Sequence, residues 1–352
     1  MEFNHLSNSV DNSPFFALMS DAEQIQVQEV SDGASPQTGE KAFLVKIRPR
    51  PNSPVTKNES ELLANAQLLL ASGDYLLARN LFSFILRKNL RDEKAMDGLG
   101  VCFLRLKETV AAKKCFKALW EMHRRSKYAV YLGMCYLAEE NDEAAFSLFQ
   151  HVSDESSLEA NLKFDFQKAY GNLLMAKERW NEAEQRYLEA LQLVPNSAAV
   201  LVNLGTLEVQ RKNHSKAEGY FSKALLLEPK NSRAHFGIGL VQWENQNVVG
   251  ATQSFEKALD CDGRNNLALR YLIKIQENSP NKEELKKRIY RFLEQEPNNG
   301  EIRFQLARIL MQENRFGEAS EQADKALRLL PQDERIQSLK KILTQNRHWG
   351  AT

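Results

Sequence analysis

Long hydrophobic runs are missing from this sequence: no window of its 352 residues approaches the roughly 18 consecutive apolar residues of a membrane span. The opening MEFNHLSNSVDN has neither the basic region nor the apolar core of a signal peptide, so a cytoplasmic chain with no direct membrane insertion is expected. An excess of one charge is missing too. With 47 Lys and Arg against 46 Asp and Glu, a net charge of +1 gives no electrostatic reason to expect nucleic acid or an anionic membrane as the main partner. Cysteine is scarce, and Cys102, Cys115, Cys135 and Cys261 show neither CxxC pairing nor a nearby His at zinc spacing. They read as small apolar fillers, and no metal is expected. The six histidines are scattered, and none sits in an HExxH, a nucleophile elbow or a Gly-rich phosphate loop. No catalytic constellation and no cofactor site follow, so the chain is expected not to be an enzyme. What is present is an ordinary soluble composition, 43% apolar, 26% charged and 9% aromatic, enough for one large or two modest domains.

Residues 1–58 differ from the rest. Ser, Asn, Pro and Gly are dense there, and apolar residues form two short islands without a sustained period, which marks a disordered tail. Its charge is split: residues 1–40 carry seven acids and no Lys or Arg, whereas residues 41–58 carry five bases and no acid. The first island, with Phe15, Phe16 and Met19, follows Ser13 and suits a short helix with Phe15 and Met19 one turn apart. The second, with Phe43, Val45 and Ile47, reads as an isolated strand that ends at Pro49 and Pro51. Neither buries itself alone. A solvated arm and a pair of recognition motifs that order on binding both remain open.

From about residue 59 apolar residues follow helical spacing, and the segment repeats itself. Pro195, Pro229, Pro297 and Pro331 are separated by 34, 68 and 34 residues, with Gly263 at the missing position. The interval of 34 also relates Gly171, Gly205 and Gly239; Ala183, Ala217 and Ala251; Tyr187, Phe221 and Phe255; and Ala190, Ala224 and Ala258. Two antiparallel helices approach closely only where a side chain is absent or a methyl, so glycine of the first helix is expected to face alanine of the second. Leu204 and Phe221 would fill the space beside them, and proline opens the next unit because it cannot continue the preceding helix.

This pattern resembles the tetratricopeptide repeat, a degenerate 34-residue helix-turn-helix unit, with AYGNLLMAKERWNEAEQRYLEALQLVPNS (169–197) as its best match. The resemblance implies an all-α, right-handed α-solenoid of about eight units, near 59–92, 93–125, 126–152, 164–197, 198–231, 232–265, 266–299 and 300–333. A capping helix at 334–346, with Ile336, Leu339, Ile342 and Leu343 on one stripe, would cover the last unit, and 347–352 would fray. Several departures stand out. Ser153 to Lys163 is an irregular insertion where a loosened joint is expected. The seventh unit has Ile273, Leu285, Ile289 and Phe292 where small or aromatic residues belong, with Ser279-Pro280 in its turn, so its helices should sit further apart. The first unit has Ala66 in the glycine slot and Ile85 in an alanine slot.

In this family the first helix of each unit lines a concave groove. By resemblance to chaperone-binding members, which hold a partner's C-terminal carboxylates with Lys and Asn side chains, Lys168, Asn172, Asn203 and Arg233 fill four of five clamp positions, and Gly237 leaves the fifth empty. A carboxylate clamp, ordinary solvated side chains and another polar peptide contact all remain open. Arg270, Lys274 and Arg308 extend the positive character along the same wall, which favours an acidic or C-terminal ligand. Trp243 reads as packing or as a groove anchor, Trp120 and Trp180 as packing, and Trp349 as a tail residue open to a partner. The resemblance implies a protein-protein interaction scaffold or adaptor with a protein or peptide partner, no nucleic acid, a monomeric or weakly oligomeric state, and a tail that recruits a second partner or occupies the groove. A regulatory subunit of an enzyme complex, or an assembly factor of a motility, pilus or secretion machine, is the alternative.

Overall fold

The computed structural model describes residues 25–30, 42–47, 59–276 and 282–347. These are helical apart from one strand pair. Strands β1 (Ile25–Val30) and β2 (Ala42–Ile47) run antiparallel, with Ile25 opposite Ile47 and Val27 opposite Val45. The second apolar island is therefore a paired strand and not the isolated one expected. The segment IQVQEV brings β-branched Ile25, Val27 and Val30, and pairing satisfies backbone groups that a lone strand leaves open. Phe43, Val45 and Ile47 lie on β2; Phe15, Phe16 and Met19 lie outside the described residues.

The chain divides into two compact units, Met1–Glu159 and Ala160–Thr352. In the first, α1 (Glu59–Ser72) pairs with α2 (Tyr75–Lys88), α3 (Glu93–Arg105) with α4 (Thr109–His123), and α5 (Ser126–Ala138) with α6 (Asp142–Gln150). In the second, α7 (Ala160–Ala176) pairs with α8 (Trp180–Leu193), α9 (Ala198–Gln210) with α10 (His214–Leu227), and α11 (Ser232–Glu244) with α12 (Val248–Cys261). The pairs α13 (Asn266–Gln276) with α14 (Glu283–Gln295) and α15 (Gly300–Gln312) with α16 (Phe316–Leu329) follow, and α17 (Glu334–Arg347) stands last.

Two local devices recur at the 34-residue interval. Ser197, Asn231, Asn265 and Asn299 open first helices, and their side-chain oxygens accept from the amides of Val200, Ala234, Ala268 and Ile302 at 3.4, 3.0, 3.0 and 3.0 Å. Within each described turn one residue adopts the left-handed conformation: Gly73 at φ 90°, then Lys107, Glu140, Glu178, Lys212, Gln246 and Asn314 at 58° to 61°. The next amide bonds back into the helix, as Asn213 N does to Glu208 O at 2.8 Å, which stops the first helix and reverses the chain.

Helix α7 begins at Ala160, not near Phe164. Leu162, Phe166, Ala169 and Leu173 continue one apolar stripe, and nothing in Ala160 to Lys163 breaks a helix.

Glycine does not meet alanine across each pair as expected. A Cβ added to Gly171, Gly205 or Gly239 would fall 2.5, 2.6 and 2.6 Å from the rings of Tyr187, Phe221 and Phe255, so the ring lies on the glycine. The alanines at 183, 217, 251, 190, 224 and 258 are fully buried beside it. In the seventh pair Ile273, Leu285, Ile289 and Phe292 are all buried, and α13 and α14 stand further apart than the helices of any other pair among the described residues. Branched side chains fill a gap that a glycine seat would close. Ser279 and Pro280 lie outside the described residues. In the first pair Ala66 and Ile85 are buried in their slots.

Helix α17 covers the last pair with Ile336, Leu339 and Leu343, while Ile342, 46% exposed, turns away from it. Within each unit first helices adjoin directly: α1 meets α3, α7 meets α9, α9 meets α11, and α15 meets α17. No two second helices approach so closely among the described residues. The first helices therefore occupy the shorter arc, the inner face of each stack.

A candidate peptide-binding face on the first helices

The inner face of the second unit carries a chain of hydrogen bonds across three consecutive first helices. On α7, Asn172 Oδ1 accepts from Tyr187 Oη of α8 and from Asn203 Nδ2 of α9, both at 2.8 Å. Asn203 Oδ1 in turn accepts from Arg233 Nη2 of α11 at 3.0 Å. Asn203 is buried, whereas Asn172 and Arg233 are exposed at the two ends. Burial of Asn203 is tolerable because both ends of its amide are bonded. Burial also pushes the Tyr187 phenol above its ordinary pKa, so it stays protonated and donates to Asn172. Among the described residues Asn172 Nδ2 has no acceptor, and Arg233 presents further N–H groups. The exposed ends of this chain are donors, suited to carboxylates and carbonyl oxygens.

Three of the four clamp candidates are thus brought together, and the fourth is not. Lys168 pairs with Asp165 on its own helix at 3.1 Å and lies over the Phe164 ring at 5.0 Å. The fifth position is closed by packing: a Cβ on Gly237 would sit 2.3 Å from Phe221 Cζ, so a lysine there requires the ring to move. The same slot, six places into the first helix, lies against the ring of the preceding pair in four cases: Gly98 on Phe82, Tyr131 on Phe116 at 4.5 Å, Gly237 on Phe221, and Tyr271 on Phe255 at 5.0 Å. Asn203 occupies the same slot in α9, where it and the Tyr187 hydroxyl donate to one oxygen of Asn172.

Further along the unit, Lys274 Nζ lies 5.4 Å above the Trp243 ring, which meets Tyr271 edge-on at 6.2 Å. Trp243 is half-buried and packs on the core as well as carrying this cation. Arg270 is exposed, while Arg308 donates to Gln305 at 3.0 Å and lies 5.9 Å from the Phe304 ring. Sequence reasoning missed Tyr187 as a partner of Asn172, because its recurrence with Phe221 and Phe255 marked it only as packing.

It also missed two buried charges. Glu208, 1% exposed, accepts from Arg211 Nη1 at 3.0 Å and Asn213 Nδ2 at 2.7 Å, and Arg211 also bonds Glu184 at 2.6 Å. Lys286, 3% exposed, is held by Glu283 at 2.7 Å and Glu313 at 2.6 Å. Lys286 ties α14 to the end of α15, whereas Glu208 holds the turn after its own helix and is linked to α8 through Arg211. The cysteines are free; burial raises Cys102 and Cys115 to about 11 and Cys135 to about 12, so these thiols stay protonated. Among the described residues no group of three His, Cys, Asp or Glu is placed to hold a metal ion, and no helix is long and apolar enough to cross a membrane.

Stacked helix pairs with a polar inner face define a helical repeat protein whose fold serves protein-protein interaction. Family models described as tetratricopeptide repeat match residues 63–118, 174–240 and 287–343, together about half of the chain. The chain belongs to the tetratricopeptide repeat family. A search of the curated proteins finds no match. Among solved structures, a chain of the APC/C hetero-tetramer Cut9-Hcn1 is similar with a TM-score of 0.52 at 14% identity, over 83% of this chain and 57% of that one. YrrB, a TPR protein with an unusual peptide-binding site, aligns with a TM-score of 0.45 at 18% identity, over 54% of this chain and 96% of its own. Yeast Tom70 aligns with a TM-score of 0.43 at 15% identity, over 81% of this chain and 80% of its own.

Proposed function

We propose that this protein is a non-catalytic, cytoplasmic adaptor that holds an acidic or C-terminal peptide segment of a partner on the inner face of its second unit. The observation that carries the reading is the Asn172, Asn203 and Arg233 chain, a preorganised row whose exposed ends are donors. Arg270 and Lys274 continue the same sign along α13. The ligand is held without a complete carboxylate clamp, since Gly237 leaves no room for the fifth side chain. Several weak polar contacts along an extended segment then supply the affinity. The acidic residues 1–40 are a second docking element or a competitor for the same face, acting at high effective concentration.

Titration of labelled acidic, neutral and basic peptides against the full chain tests this. Acidic peptides bind best, Arg233→Glu weakens them about tenfold or more at unchanged thermal midpoint, and removal of residues 1–58 tightens them. Equal affinity for all three peptide classes, or no effect of Arg233→Glu, would sink the reading.

A further inference from the structure

We propose that the edge of the first unit formed by the loops after α2 and α4 docks on an anionic membrane surface. The net charge of +1 for the whole chain conceals a local excess: residues 87–127 hold twelve Lys and Arg against five Asp and Glu. Five of these bases, Arg87, Lys88, Arg91, Lys94 and Arg124, gather at the ends of α2 and α4, in the loops that follow and in the first turn of α3. The two loops adjoin, because Glu93 Oε1 accepts from Arg125 Nη1 at 2.5 Å and from Tyr128 Oη at 2.6 Å, and Lys127 Nζ bonds Asp97 at 2.7 Å.

Those bonds occupy most of the nearby acids, and Asp92 is turned to the Ala95 amide as a helix cap at 2.8 Å. Among the described residues Arg87, Arg91 and Lys94 have no acidic partner. Lys88 and Arg124 lie over the rings of Phe84 and Trp120 at 4.9 and 5.0 Å, the same cation-aromatic arrangement at the last turn of both helices. Glu121 is the exposed acid on this edge.

Apolar side chains stand among the cations. Leu90 is 76% exposed at the loop tip, with Met122 at 44% and Phe84 at 41%. Aliphatic groups gain nothing from water at such a tip, but they gain by burial at the boundary between headgroups and acyl chains while neighbouring cations meet lipid phosphates. Several cations side by side act together on such a surface, and the apolar tips among them add burial to that attraction, which suits reversible adsorption. Nucleic acid fits less well: Phe84 is the one strongly exposed ring on the edge, and single-strand binders stack bases on a row of rings. Adsorption of this kind needs no spanning helix.

The test is co-sedimentation of the full chain with phosphatidylcholine vesicles, with and without phosphatidylserine. Binding to the anionic vesicles alone is expected, weakening as salt rises. Arg87→Glu with Arg91→Glu and Lys94→Glu should cut it at least tenfold, and Leu90→Asp several-fold. The single Leu90 variant keeps the test sound if the triple one unfolds, which circular dichroism reports. Arg48→Glu with Arg50→Glu separates the edge from the basic end of the tail. No binding to anionic vesicles, unchanged binding in both edge variants, or loss through the tail variant alone overturns the proposal. Retention on RNA but not on vesicles, lost in the same edge variants, would assign the edge to nucleic acid and overturn it equally.

Discussion

Gly237 of α11 and Phe221 of α10 are in contact so close that a Cβ at 237 would fall 2.3 Å from Cζ of the ring. Gly205 of α9 meets the same ring, where a Cβ would fall 2.6 Å from it. The ring is thus clasped by backbone from its own pair and from the next. Gly237→Ala should lower stability by about 1 to 3 kcal/mol, despite alanine's better helix propensity, because the buried ring must shift to admit the methyl group. Adding Phe221→Leu should recover part of the loss. Urea midpoints of the two single variants and the double one check the coupling.

The turn residues yield a prediction of opposite sign. Lys212 holds φ at 61°, where a Cβ is strained and glycine is not. Lys212→Gly should raise the thermal midpoint, by up to about 1 kcal/mol of stability, whereas Lys212→Val should lower it.

Removing one partner of a buried charge is a severer change. Arg211→Ala leaves the Glu208 carboxylate buried with only Asn213 as donor, and should cost about 3 kcal/mol. Glu208→Leu combined with Arg211→Met removes both charges and should cost clearly less. Chemical denaturation of these variants orders them.

Asp97 yields a pH dependence. Burial raises its carboxyl above the ordinary value, partly opposed by Lys127, and Asp97 Oδ1 is buried without a hydrogen-bond partner. With the folded value raised, the native state binds the extra proton. The Asp97 contribution to stability is therefore full below the unfolded value and declines as pH rises through the folded one. Asp97→Asn should flatten that decline. Comparing urea midpoints of wild type and variant at about pH 4 and about pH 7 tests it.

Much of this architecture was legible in the sequence because equivalence under a 34-residue shift is a property of residue order alone. It relates Gly171 to Gly205 and Gly239, and Ala183 to Ala217 and Ala251, before any coordinates exist. What spacing leaves undetermined is the rotation of one helix against another. Hence the rings, not the alanines, proved to lie on the glycines, and the vacant clamp position at Gly237 gained its cause only from geometry. Asn172, Asn203 and Arg233 were singled out as neighbours, but Tyr187, which orients Asn172, was hidden among packing residues. Glu208 and Lys286 were passed over because charged residues on helices read as surface; only the depth of their positions shows otherwise. The recurring caps at Asn231, Asn265 and Asn299 were there to be read, as a polar residue just before each apolar run.

A ring clasped by two consecutive pairs also restricts how such a chain is rearranged. Excising 232–265 removes one whole period, yet it brings Tyr271 to the place that Gly237 held and sets ring against ring where backbone had been. Units of identical length are not interchangeable cassettes. Each carries the impression of the neighbour it was shaped against, so their order along the chain is itself part of the fold.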